Sequence, residues 1–157
     1  MMATVAPRVI PTLDALAALV GTEVGVSDWV DVSAGRIAAF ADATDDHQWI
    51  HLDIERAKRE SPYGTVVAHG YLTLSLIPAM RASAMEIRGV SMAVNYGANR
   101  VRFPAPVRAG GRIRASFVLA GFEPIENGAQ LTWTATVTEE GASKPCCVAE
   151  LLSRCYR

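Results

Sequence analysis

What this sequence lacks excludes several classes of protein. Its 157 residues carry 15 lysines and arginines against 16 acidic residues, so it has no excess of positive charge for nucleic acid or an anionic membrane. The apolar run near the N-terminus is interrupted at Asp14, is too short to span a bilayer, and does not have the order of a signal peptide. We therefore expect a soluble, cytoplasmic protein with no nucleic-acid or membrane partner.

Cysteine is also scarce. The chain has three, Cys146, Cys147 and Cys155, all near the C-terminus. An odd number that includes an adjacent pair is a poor disulfide framework, and there is no Cys-x-x-Cys spacing that would suit zinc. We expect all three to be small, buried or half-buried strand residues in a reducing compartment.

Apolar residues are abundant, at 50% of the chain, and the length fits one domain over residues 1–157. Helices are predicted at 12–21, 34–44 and 54–60, with Thr12, Ser33 and Asp53 as candidate N-caps. The most apolar stretch, 68–85, is too long for one strand. It is predicted to be a buried central helix that Pro78 kinks or ends.

The remaining segments have the pattern of strands. Residues 23–33 alternate loosely, and four stretches separated by turn signals follow the central helix, at 90–103, 112–125, 129–140 and 144–157. Within 131–138, apolar residues alternate with threonines, which is typical of an antiparallel strand with one wetted face. The predicted fold class is α+β, with an antiparallel sheet wrapped around one long apolar helix.

Two of the three histidines lie in one acidic stretch, from Asp42 to His51, and the third is His69. A metal site is one explanation, because His47 and His51 are four residues apart and would share a helix face, with Asp46 or His69 as a third ligand. The stretch lacks the glutamate of the metallohydrolase pattern, however, and its first residues favour a loop. We therefore predict no metal.

A solvated turn and a proton-transfer site are the other two explanations. Turns are favoured by aspartates, whose side chains bond to nearby backbone, and we assign Asp42, Asp45 and His47 to this class. Asp46 and His51 are the candidates for proton transfer, because apolar neighbours on both sides of His51 would hold it against the core. Next to them, Gly70 opens the central helix, where an unobstructed N–H at the positive end of the dipole could stabilise an oxyanion.

Residues 40–77 resemble the signature of the MaoC-like, (R)-specific enoyl-CoA hydratases of the hotdog fold. The matching positions are Asp46, Ile50, His51, Asp53, Ala57, Ala68, His69, Gly70, Ser75 and Leu76. The later stretch 95–114 resembles the strand and glycine-rich turn of the same family, so the likeness covers about 33–118. Two departures occur: Asp45 replaces the usual glycine, and Gln48-Trp49 replaces Asn-Pro, as in the nodulation-protein-N-like branch.

The resemblance implies a single hotdog domain that hydrates 2-trans-enoyl-CoA reversibly to (R)-3-hydroxyacyl-CoA in fatty acid metabolism. It implies Asp46 and His51 as the catalytic pair, with acid and base not assigned individually, and the Gly70 N–H as oxyanion donor. Supporting or substrate-binding roles are expected for His69, Ser75, Trp49 and Tyr96. His69 is expected to pack or hydrogen-bond locally. No cofactor is needed, because CoA is part of the substrate, and the chain is expected to form a homodimer.

Two other functions stay open. A hotdog acyl-CoA thioesterase would use a carboxylate to direct water at the thioester carbonyl and would not need an Asp-x4-His pair. A non-catalytic subunit that binds acyl-CoA or stabilises a partner is the other, since a fold does not fix a function.

Overall fold

The computed structural model describes residues 6–157. The first half contains β1 (Arg8–Ile10), a 3₁₀ helix (Asp14–Leu19), β2 (Glu23–Val26), β3 (Val30–Val32), α1 (Ala34–Thr44), α2 (Trp49–Leu52) and α3 (Ile54–Glu60). The second half contains α4 (Gly70–Ala84), β4 (Met85–Ile87), β5 (Met92–Arg102), β6 (Gly111–Ile125), β7 (Gly128–Glu139) and β8 (Pro145–Tyr156).

The main sheet is antiparallel throughout, in the order β2-β6-β7-β8-β5, and β3 also pairs with β6. β1 and β4 form a separate parallel pair. The α+β prediction is therefore confirmed, and the four strands predicted after the central helix correspond to β5, β6, β7 and β8. The short strand β4, which lies within the last residues of the predicted helix segment and just after it, was not predicted. Strand β5 is at one edge of the main sheet and is exposed along almost its whole length.

The core lies between this sheet and helix α4. On β7 the apolar residues of the predicted alternation are buried and the threonines are half-buried, as expected for one wetted face. Trp133 packs edge-on against Phe117 of β6, with 6.4 Å between ring centroids. Leu72, Ile77 and Met80 of α4 join the same hydrophobic cluster. Because α4 is packed against the sheet, the position and orientation of its first residue, Gly70, are fixed.

The caps of α1 and α3 are confirmed. The Ser33 hydroxyl accepts from the Arg36 N–H at 3.1 Å, and the Asp53 carboxylate accepts from the Arg56 N–H at 2.9 Å. Asp45 ends α1 in the left-handed conformation, with φ of 57°. This turn separates α1 from α2 and leads the chain into the segment that carries the candidate site.

Two expectations differ from the structure. The predicted first helix is a 3₁₀ helix, although Thr12 does accept from the Ala15 N–H. The predicted strand 23–33 is two strands, because the buried Ser27 hydroxyl takes the place of a ladder partner and accepts from the Ala115 N–H at 2.9 Å.

The predicted central helix is present as α4, with Pro78 inside it. Of the two effects expected of Pro78, the helix does not end there but continues to Ala84, since burial of the residues before and after Pro78 outweighs one lost helical hydrogen bond.

The three cysteines are unpaired and buried, as expected. Burial raises the pKa of the Cys146 thiol to about 12 and that of Cys147 to about 11, so both stay protonated and unreactive. None of the helices within residues 6–157 is long and apolar enough to cross a membrane.

Candidate active site

His51 lies in the four-residue helix α2 and is buried, with 8% of its surface exposed. Its Nδ1 is 2.6 Å from the backbone carbonyl oxygen of Val67. A carbonyl can only accept, so Nδ1 carries the proton in the neutral ring and donates it to this oxygen. The Nε2 atom of His51 is therefore left with a lone pair, which is the form that a general base requires.

Burial holds the pKa of His51 below its ordinary value of 6.5. The Val67 carbonyl raises this pKa, the neighbouring His69 lowers it further, and the Asp46 carboxylate raises it, but burial is the largest effect. His51 is consequently neutral at pH 7 and available to accept a proton.

His69 is the N-cap residue of α4 and is almost fully buried, at 2% exposure. Its Nε2 donates to the backbone carbonyl of Asp46 at 2.9 Å, so it hydrogen-bonds locally, as predicted. Its ring stacks on His51, with centroids 3.7 Å apart and planes 23° apart, and contacts Phe40 on another side. The buried Nδ1 of His69 has no hydrogen-bond partner within residues 6–157. His69 therefore fixes the position of both predicted catalytic residues.

Asp46 follows the left-handed turn and has a half-exposed side chain. One carboxylate oxygen is 4.0 Å from His69 Nε2, and the other accepts from the Gln48 N–H at 3.4 Å. One donor atom from each of Asp46, His51 and His69 can be chosen so that all three lie within 4.8 Å of one another. The structure thus brings the predicted pair together beside His69, which follows Asp46 by 23 residues in the chain.

This cluster suits proton transfer better than a metal ion. The two imidazole rings are stacked, so their lone pairs lie in two nearly parallel planes and do not meet at one point about 2 Å from each nitrogen. Each ring also directs one N–H to a backbone carbonyl. His47 is not part of the cluster: it lies at the surface, 2.9 Å from Asp42. Asp45 and His47 are exposed between α1 and α2, as the turn assignment predicted. Asp42 is exposed as well, but it lies in the last turn of α1 and not in the turn that follows.

Gly70 is the first residue of α4, so its N–H has no acceptor within the helix and lies at the positive end of the helix dipole. Gly70 and His51 line the same cavity of about 240 Å³. A Cβ at position 70 would lie only 2.8 Å from the ring of Phe103, which lines the cavity as well. Glycine is required here because the aromatic ring packs directly against the backbone.

Backbone hydrogen bonds hold the two sides of this cavity together. The Val67 N–H donates to the Ile50 carbonyl at 3.1 Å, which joins the start of α4 to α2. The Ala68 N–H donates to the Val107 carbonyl at 2.8 Å, which joins the same segment to the chain before β6. The position of the His51 ring relative to Gly70 is therefore set by main-chain contacts.

None of the four predicted supporting residues lines this cavity in the part of the chain that the structure describes, and Asp46 does not line it either. His69 lies against the His51 ring instead. The guanidinium of Arg56 lies over the Trp49 ring, with 4.2 Å between its central carbon and the ring centre. Tyr96 lies on the exposed strand β5 under Arg154, and Ser75 borders a second cavity farther along α4. Their roles stay predictions.

Several residues that line the cavity were not predicted from the sequence to do so, among them Thr73, Phe103 and Cys146. Phe103 and Gly70 are 33 positions apart in the chain, so a local sequence pattern could not predict their contact. The acceptor for His51 is a backbone carbonyl, which carries no mark in the side-chain sequence. Cys146 was expected to be a buried strand residue, and its thiol contributes an apolar wall.

A family model described as MaoC like domain matches residues 15–141, and the chain belongs to the MaoC-like dehydratase family. Its fold is the hotdog fold of that family. The chain is 51% identical over 140 residues to 3-hydroxyacyl-thioester dehydratase Z of Mycobacterium tuberculosis (strain ATCC 25618 / H37Rv), covering 88% of this chain and 92% of the relative. It is 46% identical over 138 residues to Nodulation protein N of Rhizobium leguminosarum bv. viciae, covering 85% and 84%.

Solved structures agree on the fold. A monoamine oxidase regulatory protein from Archaeoglobus fulgius superposes with a TM-score of 0.77 at 23% identity, covering 98% of this chain and 99% of that one. The (R)-hydratase from A. caviae involved in PHA biosynthesis has a TM-score of 0.65 at 22% identity, covering 85% and 96%. The resemblance to the MaoC-like family and its nodulation-protein-N-like branch is thereby confirmed.

Proposed function

We propose that this protein hydrates 2-trans-enoyl-CoA reversibly to (R)-3-hydroxyacyl-CoA. The observation that carries the proposal is the bare Nε2 of a neutral, buried His51, placed near the Asp46 carboxylate and in the same cavity as the Gly70 N–H. The similarity to a protein named as a 3-hydroxyacyl-thioester dehydratase supports the same chemistry.

In the hydration direction, one water molecule is held between His51 Nε2 and Asp46, which converts a bimolecular attack into an oriented one. The water oxygen bonds to C3 of the enoyl thioester as His51 Nε2 takes a proton from it. The electrons of the C2–C3 double bond move towards the thioester oxygen, where the Gly70 N–H binds the developing charge. The pair then returns a proton to C2, so that hydrogen and hydroxyl have both been added and the protein is unchanged.

His69 is a positioning residue in this mechanism. Its N–H holds the Asp46 backbone, and its ring supports one face of His51, so both members of the pair keep a fixed separation. No metal or redox cofactor enters any step, because the thioester itself polarises the double bond and CoA belongs to the substrate.

We also propose that the chain works as a homodimer joined along β5. This strand has 11 residues at the sheet edge, and the exposed fractions of Met92, Val94 and Tyr96 are 53%, 39% and 53%. An apolar edge of this length is prone to pair with another chain. A second copy related by a twofold axis would continue the sheet and cover these side chains. A twofold-symmetric homodimer is the commonest form of oligomer. Sedimentation should give twice the monomer mass, and Val94→Lys should shift the equilibrium towards monomer.

The test of the activity is a spectrophotometric assay with crotonyl-CoA and longer enoyl-CoAs, followed by chiral analysis of the product. We expect loss of enoyl absorbance and an (R)-3-hydroxyacyl product. His51→Gln should abolish the reaction, and the matched surface variant His47→Gln should not. Release of CoA from saturated acyl-CoA without loss of enoyl absorbance would favour the thioesterase. Absence of both reactions in a folded protein would favour the non-catalytic subunit.

A further inference from the structure

A second cavity, of about 250 Å³, lies between α4 and the sheet. Its apolar lining includes Leu74 and Ile77 from the helix and Phe117, Trp133 and Leu151 from the strands. The catalytic cavity borders the same helix at Gly70 and Thr73, so the two spaces occupy successive turns of α4. An acyl chain that ran along this helix from the catalytic cavity would therefore reach the second one.

Among the described residues 6–157, Arg81 is the one charged residue that lines this apolar cavity. It is half-buried, and its side chain forms no hydrogen bond or ion pair with any residue in 6–157. Glu86 borders the same neighbouring groove as Arg81 but is held by Arg88 at 3.3 Å. A half-buried guanidinium beside apolar walls loses hydration without a compensating partner, which is unfavourable unless a ligand supplies the partner.

The helix places Arg81 in line with the oxyanion donor. Gly70, Leu74, Ile77 and Arg81 are spaced i, i+4, i+7 and i+11, so they share one face of α4. Eleven residues at 1.5 Å each separate the Gly70 and Arg81 backbones by about 16 Å along the axis. Long side chains on a helix lean towards its N-terminus, which brings the Arg81 guanidinium towards the approaching chain.

We infer that Arg81 is a specificity-determining residue that binds a carboxylate at the far end of the acyl chain. The substrate class is therefore 2-enoyl thioesters whose other end is a carboxylic acid, rather than plain fatty acyl thioesters. This inference rests on the proposed function, because it takes the thioester carbonyl to sit at the Gly70 N–H. The planar guanidinium can bind a carboxylate through two parallel hydrogen bonds. The methylene groups between the thioester and the carboxylate would contact the apolar walls of the cavity.

The alternative role of Arg81 is purely structural. It lies in the last turn of α4, where a cation interacts favourably with the negative end of the helix dipole. That role predicts a change in stability when the charge is removed, with no change in the choice between substrates.

The experiment compares matched pairs of enoyl-CoAs of increasing length, one ending in a carboxylate and the other in a methyl group. We expect the wild type to prefer the carboxylate member by about 10- to 100-fold in kcat/KM, the range for a charge-assisted hydrogen bond. Arg81→Met keeps the apolar stem and should reverse the preference, mainly through KM. Arg88→Met removes an exposed, paired guanidinium outside both cavities and should leave the preference unchanged.

Equal kcat/KM values for both members of every pair in the wild type would overturn the inference while leaving the proposed hydration intact. The same loss for both members in Arg81→Met would assign the residue a structural role and would also overturn it. If neither member is hydrated, the proposed function fails, and calorimetric binding of the two saturated acyl-CoAs then tests Arg81 directly. Tighter binding of the carboxylate form that is lost in Arg81→Met supports the inference, and equal binding contradicts it.

Discussion

The substitution Gly70→Ala tests whether the start of α4 has to remain open. An added Cβ would lie 2.8 to 2.9 Å from three ring atoms of Phe103, closer than the 3.0 Å below which Cβ contacts essentially do not occur. Overpacking of this kind costs about 1–3 kcal/mol. Alanine recovers about 1 kcal/mol of this as a better helix former than glycine. The net loss of up to about 2 kcal/mol should lower Tm by as much as about 8 °C for a chain of this length.

The effect on the rate should be larger than the effect on stability. Relief of the contact displaces the helix start, and with it the N–H proposed to bind the thioester oxygen. Loss of one oxyanion donor lowers kcat by about 10²- to 10³-fold. The assay is enoyl-CoA hydration followed by absorbance, with Tm from calorimetry on the same samples. Gly35→Ala is the matched control, because the nearest atom to its added Cβ is the Ser33 hydroxyl at 3.9 Å. It should lower neither quantity.

A second substitution separates steric displacement from other causes. Phe103 has 40% of its surface exposed, so Phe103→Ala by itself should reduce Tm little. The double variant Gly70→Ala with Phe103→Ala has space for the new methyl group. We therefore expect it to recover most of the Tm decrease caused by Gly70→Ala and to have a kcat at least about tenfold higher than that of Gly70→Ala alone. A double variant no better than Gly70→Ala alone would refute the steric explanation. A fully active Gly70→Ala protein would refute the oxyanion role as well.

Three further predictions concern the histidine cluster. Asp46→Asn and His51→Gln should each reduce kcat by about 10²- to 10⁴-fold. The double variant should be scarcely slower than either single variant, because the two groups act on one water. The kcat values of the controls Asp42→Asn and His47→Gln should stay within several-fold of wild type, and an inactive His47→Gln protein would contradict our assignment. The value of kcat/KM should rise with pH as His51 loses its proton and becomes able to act as a base. Because burial lowers the pKa of His51, the midpoint of this acidic limb should lie below pH 6.5. In Asp46→Asn any residual limb should move lower still, since the carboxylate that favours protonated His51 is gone; movement upwards would be inconsistent with the structure. Prolonged treatment with a chelator should leave the rate unchanged, whereas loss that zinc restores would establish a metal site.

Local patterns predicted much of the fold because the relevant interactions are local. Ser33 and Asp53 cap helices through contacts three residues away, and the alternation in 131–138 follows directly from the pleat of a strand. The break within 23–33 was missed because it depends on Ser27 bonding to Ala115, 88 residues later. The sequence left open whether α4 would continue through Pro78 or end there, because the outcome depends on tertiary burial of the helix, which outweighs the local preference of proline.

The same distinction applies to the site. The spacing of Asp46 and His51 marked the pair, since residue types and their separation are visible in one stretch of sequence. The stacking of His69 on His51 and the contact between Phe103 and Gly70 appear only after α2, α4 and the segment before β6 have come together. Ser75, Trp49 and Tyr96 were selected by type and position, and nothing in the sequence showed that none of them lines the cavity that contains His51 and Gly70.

The hydrogen bond from His51 to the Val67 carbonyl has a consequence for how this protein tolerates change. Where a histidine is oriented by a carboxylate, one substitution or a drop in pH can remove the acceptor and free the other tautomer. A main-chain carbonyl does not titrate and is present whatever side chain occupies position 67. Sequence drift at that position can alter the size of the pocket wall while the proton of His51 stays on the same nitrogen. The chemistry and the shape of the cavity are therefore open to separate selection.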